Sequence, residues 1–216
     1  VPMLSMQLLA RSPAVNVATF HAKLPDGPLS KSLERIVTPY TKTVFKRLAH
    51  ITAVSDAAAD YVGSVTEMSV EIIPNGINLA SYNPTKITPL RAYMGKTKTI
   101  LYIGRLEKRK GVQHLLPAFA EIKKTKPDVR LVIAGDGDKR RVLEQFVERH
   151  GLEDSVQFLG FVSEEDKLRL LRSADVFVSP AIFGESFGIV LLEAMAMQLP
   201  TVAGNNPGYA SVMTDR

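Results

Sequence analysis

The sequence predicts a doubly wound α/β protein built on parallel sheets, and three observations carry that prediction. Short runs rich in Val, Ile and Leu recur along the 216 residues. Helical patterns follow several of these runs, and the turns between run and helix gather Gly with Asp, Arg and Lys. Unbroken branched-aliphatic runs mark strands buried on both faces, which is the state of parallel strands covered by helices on either side.

In chain order the predicted strands are Val15–Phe20, His50–Ser55, Val70–Pro74, Thr99–Gly104, Val129–Gly135, Ser155–Gly160, Asp175–Pro180 and Pro200–Gly204. A long early helix is predicted within "LSKSLERIVTPYTKTVFKRLAH". There Leu33, Ile36, Val37, Tyr40, Val44, Phe45 and Leu48 share one face at helical spacing. Lys31, Arg35, Lys42, Lys46 and Arg47 lie mostly off that face, and Pro39 should kink or divide the helix. Such a helix either rests on an anionic membrane or packs its stripe on the core beneath a solvated basic face; the second reading is preferred. Between Asn75 and Lys98 the periodicity lapses among Gly, Asn and Pro, as in a linker. The expected organisation is residues 1–75 as the second half of one Rossmann-like domain, 76–97 as linker and 98–216 as a second such domain. Helical character is also expected in the closing "GYASVMTDR".

Composition narrows the function classes. With 45% hydrophobic and 23% charged residues, the chain has the balance of a soluble globular protein. Its net charge of +5 falls mostly before residue 97 and suits nucleotide phosphates or an anionic membrane surface. Cysteine is absent, which excludes disulfides and thiolate metal sites. His21, His50, His114 and His150 show no ligand spacing. No apolar run reaches the roughly 18–20 residues of a membrane span. The opening "VPMLSMQLLA" lacks both a charged leader and an initiator Met, so it is not read as a signal peptide. The chain starts within an apolar segment and stops within an expected helix, and we read it as a fragment of a longer protein.

Open α/β sheets bind ligands beyond the carboxyl ends of their strands, so the strand-to-helix turns hold the candidate chemistry. In "YIGRLEKRKGVQHLL" a strand ends at Gly104 and a helix starts near Gly111, with Arg105, Lys108, Arg109 and Lys110 between. Cations at a helix amino end oppose its dipole, and a phosphate would satisfy both the amides and the cations. A solvated basic turn is the alternative. In "IAGDGDKRRVLEQF", Asp136 and Asp138 either form a tight turn with Asp138 as helix N-cap or hold a divalent metal. The glycines and the cap account for every residue, which favours the turn. In "PAIFGESFGIVLLEAM", Gly184 and Gly188 let the backbone approach a ligand. Amides near Ser186–Ile189 would face a diphosphate. Glu185 and Glu193 would then accept hydrogen bonds from hydroxyl pairs on either side of it, unless Glu185 is simply exposed and Glu193 a helix-surface residue.

Taken together, "TFH" (19–21), "ITAVSD" (51–56), "IIPNGIN" (72–78), "GRLEKRKG" (104–111), "VIAGDGD" (132–138), "LGFVSEED" (159–166) and "GESFGIVLLEAMA" (184–196) resemble the retaining glycosyltransferases of family 4. The last piece matches that family's Glu, seven residues, Glu signature. The resemblance implies the GT-B fold, two Rossmann-like doubly wound parallel-sheet domains, both incomplete in this chain. It implies that Arg105 and Lys110, at Gly104's turn, hold the donor diphosphate. Glu185 contacts the sugar hydroxyls, and the amides of Ser186, Phe187, Gly188 and Ile189 meet sugar and phosphate. Glu193 binds the ribose diol, the main chain of Val162 meets the nucleobase, and His21 falls near the reacting sugar. Within the family the chain looks most like phosphatidylinositol mannosyltransferases, in which positions matching Glu164 and Lys167 contact guanine.

The implied reaction moves a hexosyl group, mannosyl being favoured, from a nucleotide diphosphate sugar to an acceptor hydroxyl with retention. GDP-mannose is the favoured donor, with a UDP-sugar as the alternative, and no cofactor or metal is implied. The acceptor would be a lipid or glycan, with phosphatidylinositol as one instance. An anionic membrane surface is the implied neighbour and nucleic acid is not. The implied location is cytoplasmic, peripheral at the inner face of the membrane. The family's opening strand and Gly-rich loop find no match here, so the 216-residue chain alone is expected to be inactive. The rival readings are a GT-B-fold nucleotide-sugar epimerase and a non-catalytic nucleotide- or membrane-binding module.

Overall fold

The computed structural model describes residues 2–21, 43–63 and 66–213. Most of the predicted early helix, with Pro39 and its basic residues through Lys42, lies outside them. Two compact units emerge. The first comprises Val1–Asn75, Gly184–Gly188 and Pro207–Arg216, and the second Gly76–Phe183 and Ile189–Asn206.

The first unit starts with helix α1 (Pro2–Arg11). Its parallel three-stranded sheet, in spatial order β1-β2-β3, is formed by β1 (Asn16–Phe20), β2 (Leu48–Ala53) and β3 (Val70–Ile72). Leu48, expected on a helix face, instead opens β2. Within β2, the central strand, Leu48 and Ile51 join Val62 in a buried cluster against which Leu9, Phe20, Phe45 and Val70 pack. Burial in that cluster outweighs the helical spacing of Leu48 from Val44. Helix α2 (Asp56–Gly63) follows, its first turn closed by Ser55, whose hydroxyl accepts from the Ala58 amide at 3.2 Å.

The chain returns to this unit at 184–188 and 207–213. Helix was expected over the second segment, but a 3₁₀ turn at Pro207–Tyr209 is followed by further turns. In this segment two stretches of backbone meet closely: a Cβ on Gly208 would stand 1.9 Å from the Glu185 carbonyl oxygen.

The second unit holds a five-stranded, all-parallel sheet in the order β6-β5-β4-β7-β8. Its strands are β4 (Lys98–Ile103), β5 (Val129–Ala134), β6 (Val156–Gly160), β7 (Val176–Ser179) and β8 (Thr201–Ala203), each within a residue or two of its predicted bounds. Helices α3 (Val112–Thr125), α4 (Arg140–Arg149), α5 (Glu164–Ser173) and α6 (Ile189–Ala196) connect them. The core runs through Tyr102, Leu116, Phe119, Leu131, Ile133 and Leu143. Its two-sided burial is what the unbroken aliphatic runs required.

Residues 76–97 join this second unit. They form 3₁₀ turns at Leu79–Tyr82 and Arg91–Tyr93. The Leu90 amide donates to the Ser173 hydroxyl (2.7 Å), Arg172 to the Pro84 carbonyl (2.8 Å) and Arg130 to the Ala92 carbonyl (2.7 Å). Asp138 does not cap α4. Lys139 occupies the N-cap position, where its ammonium has no acceptor to offer the helix amides, and its own amide donates to the Leu106 carbonyl at 2.9 Å. Asp138 pairs with Lys139 instead, and Asp136 accepts from the Gly137 amide (2.7 Å) and Arg140 (3.1 Å).

Candidate active site

In the five-stranded sheet, β4 lies between β5 and β7. The chain leaves β4 toward β5 on one side, while β7 and β8 extend the sheet on the other. The carboxyl ends of β4 and β7 therefore flank the topological switch point, where open α/β sheets form ligand crevices. The loop after β4 is "GRLEKRKG" and the loop after β7 starts at Pro180, so two of the three stretches singled out in the sequence meet there. They are joined directly: the Ile182 amide donates to the Arg109 carbonyl at 2.9 Å. Gly111, at φ 76° at the amino end of α3, lies so close that a Cβ would stand 1.9 Å from the Pro180 carbonyl oxygen.

The basic turn organises itself around an acid. Glu107 receives Arg105 on Oε1 (2.7 Å) and Arg109 on Oε2 (2.8 Å). The Arg105 side chain remains 68% exposed, so a solution anion can reach it. Tyr102 donates its hydroxyl to the Arg105 carbonyl at 2.9 Å, fixing the backbone from which that side chain projects. Lys110 ends the 3₁₀ turn Lys108–Lys110, directly before the amino end of α3.

A second polar group forms between α5 and α6. Helix α5 is capped by Ser163, whose hydroxyl accepts from the Asp166 amide at 3.1 Å. One turn on, Lys167 reaches Glu164 at 2.7 Å and Glu193 of α6 at 2.8 Å. Glu193 is buried, not a surface residue of its helix, and its Oε1 also accepts from the Tyr82 hydroxyl at 2.7 Å. Burial works against charge on Lys167, but hydrogen bonds to Glu164 and Glu193 and the Glu193 charge outweigh it and raise its pKa. Burial, the bond to Glu193 and its charge likewise raise that of Tyr82.

Gly104, Arg105, Lys110, Val162, Glu164, Lys167, Ile189 and Glu193 thus belong to the second unit, with Val162 half-buried on the loop between β6 and α5. His21, exposed just beyond β1, belongs to the first, as do Glu185, Ser186, Phe187 and Gly188. In that unit the Ser186 carbonyl accepts from the Ser55 hydroxyl, Phe187 is buried and Gly188 adopts φ 90°. Among the described residues, no group of three or more His, Asp or Glu stands placed to hold a metal ion. No helix among them is long and apolar enough to cross a membrane. Sequence reasoning missed Glu107 and Tyr82. Glu107 sits in plain view within the basic turn, where only the cations were weighed, whereas no spacing connects Tyr82 to Glu193, 111 residues away.

Residues 91–216 match the family "Glycosyl transferases group 1", and residues 1–81 match "Glycosyltransferase Family 4". The chain is 35% identical over 215 residues to the phosphatidyl-myo-inositol mannosyltransferase of Mycobacterium leprae, covering 99% of this chain and 55% of that protein. Against the protein of the same name from Mycolicibacterium smegmatis the identity is also 35%, covering 99% and 53%. Among solved structures, Anabaena Alr3699/HepE in complex with UDP superposes with a TM-score of 0.78 at 24% identity, over 98% of this chain and 59% of that one. The chain spans about half the length of the curated relatives it matches.

Proposed function

The chain belongs to the family 4, group 1 glycosyltransferases, with the GT-B fold, and from that premise we propose that the whole protein is a retaining mannosyltransferase using GDP-mannose. The acceptor on this reading is a lipid hydroxyl of the phosphatidylinositol class, presented at the inner face of a membrane. Similarity to two mannosyltransferases that carry that acceptor in their names supports the sugar and the lipid. The observation that carries the chemistry is the cationic turn at the switch point, where Arg105 and Lys110 adjoin the amino end of α3.

The reaction breaks the bond between the anomeric carbon and the phosphate oxygen and forms one to the acceptor oxygen on the same face. The transition state separates an oxocarbenium-like sugar from a phosphate bearing the departing charge, so stabilising that phosphate dominates catalysis. Arg105, Lys110 and the helix amino end supply positive potential there. The leaving phosphate oxygen takes the acceptor's proton. Glu185 accepts from the sugar hydroxyls, with the amides of Ser186, Phe187, Gly188 and Ile189 on sugar and phosphate. His21 serves on the acceptor side. Glu193 takes the ribose diol through Oε2, since Tyr82 and Lys167 both bind Oε1. The loop of Val162, with Glu164 and Lys167, carries the base.

Calorimetry of the intact protein with GDP against UDP, followed by product analysis with GDP-mannose and phosphatidylinositol, tests this reading. Tighter binding of GDP and an α-mannosyl product are expected. A clear preference for UDP, or a β-linked product, would overturn it, and sugar release or epimerisation without transfer would favour the epimerase reading.

A further inference from the structure

We infer that Tyr82 is a positioning residue of the donor site, which aims the Glu193 carboxylate at the ribose diol by binding one of its two oxygens. The inference rests on the reading of Glu193 as the ribose acid and extends it to a residue outside the motifs that define the site.

Glu193 projects from the second turn of α6, with its side chain only 10% exposed. A buried carboxylate needs partners, and its two oxygens offer about four lone-pair sites between them. Here both donors converge on one: the Tyr82 hydroxyl lies 2.7 Å and the Lys167 ammonium 2.8 Å from Oε1. Two donors on one oxygen fix rotation of the carboxylate about its last bond and leave Oε2 to accept from a ligand.

The two donors are unequal. Lys167 divides its ammonium between Glu193 and Glu164, the latter at 2.7 Å with 82% of its side chain exposed. Tyr82 has a single hydroxyl proton and commits it to Glu193. The phenol keeps that proton through the neutral range, because burial and the adjoining Glu193 raise its pKa. Its ring also lies 6.0 Å from the Lys167 ammonium, within reach of a cation–π contact.

The backbone of Tyr82 is held just as firmly. It ends the 3₁₀ turn Leu79–Tyr82, which Asn78 caps by accepting from the Ala80 amide at 3.1 Å. Beyond it the Asn83 side chain accepts from the Thr85 amide at 3.0 Å. A turn closed on both sides presents the phenol from a fixed point.

The test compares nucleotide affinities in the intact protein. Calorimetry with GDP and 2′,3′-dideoxy-GDP, and with the two corresponding uridine nucleotides, measures what the ribose hydroxyls contribute. In the native protein the dideoxy forms should bind more weakly, and Glu193→Gln should largely close that gap. Tyr82→Phe keeps the ring and should narrow the gap by roughly tenfold, the worth of one hydrogen bond to a charged group, with the dideoxy affinities unchanged. In the Glu193→Gln background, Tyr82→Phe should narrow it no further. A full gap in Tyr82→Phe alongside a closed one in Glu193→Gln would overturn the role of Tyr82 and leave the ribose reading standing. No gap in the native protein would overturn both. A general loss of packing would weaken ribo and dideoxy forms alike, and that pattern also counts against the inference.

Discussion

At the scale of single residues, the site depends on acids placed among cations. Glu107 is the informative case. Arg105, Lys108, Arg109 and Lys110 lie beside a helix amino end, where positive charge is unfavourable, and Glu107 offsets this by pairing with two of them. In the Arg105 pair the guanidinium side chain is largely exposed, and solvent screening holds the pair to about 1 kcal/mol or less. It can therefore yield to a better anion. Glu107→Gln should lower the stability of the intact protein by roughly 0.5–1 kcal/mol and enlarge the stabilisation that added pyrophosphate gives in thermal unfolding. If pyrophosphate protects variant and native protein equally, the basic turn is not the phosphate site. The chemistry of this turn was legible in its residue types, but its internal geometry was not. Composition shows how many charges share a loop, and only the fold shows that one carboxylate bridges two guanidinium groups.

At the scale of elements, periodicity did most of the work and failed where long-range contact decides. The eight strands of the described residues follow from apolar runs, most plainly β4 and β5, where burial on both faces demands them. Leu48 satisfied a helix pattern with Val44 and Phe45, yet it opens β2 because burial in the central strand outweighs local spacing. Helix was expected in the closing segment, yet its described residues form turns, with Gly208 against the Glu185 backbone. The same kind of contact gives an element-scale prediction at Gly111, where the loops after β4 and β7 touch. Ala there would carry a side chain at positive φ and drive its Cβ into the Pro180 carbonyl. Gly111→Ala should destabilise the protein by about 1–3 kcal/mol in denaturant unfolding and weaken nucleoside diphosphate binding, since the loops must move apart. Native stability and native affinity together in that variant would show that the close approach is dispensable.

At the scale of the whole molecule, the second unit ties its sheet, its helices and residues 76–97 together through tyrosines and a lysine that must keep their protons. Burial and Glu193 raise the Tyr82 pKa above 10.0. Burial also raises that of Tyr93, outweighing the opposing Arg130 charge and the bond to Gln157, and Lys167 is raised above 10.5 by its two carboxylates against the cost of burial. A group whose pKa is higher folded than unfolded contributes stability that is fully present below the unfolded value and is lost as pH rises through the folded one. Three such groups all act in that direction, so stability should hold at neutral pH and fall steadily from about pH 10 upward. Denaturant unfolding of the intact protein between about pH 8 and about pH 11.5 measures this slope. Tyr82→Phe removes one of the three groups and leaves the others in place, so its decline should be shallower than that of the native protein. Parallel declines in the two proteins would mean that the Tyr82 phenol titrates alike folded and unfolded, and the bond to Glu193 would then add nothing to the stability of the fold.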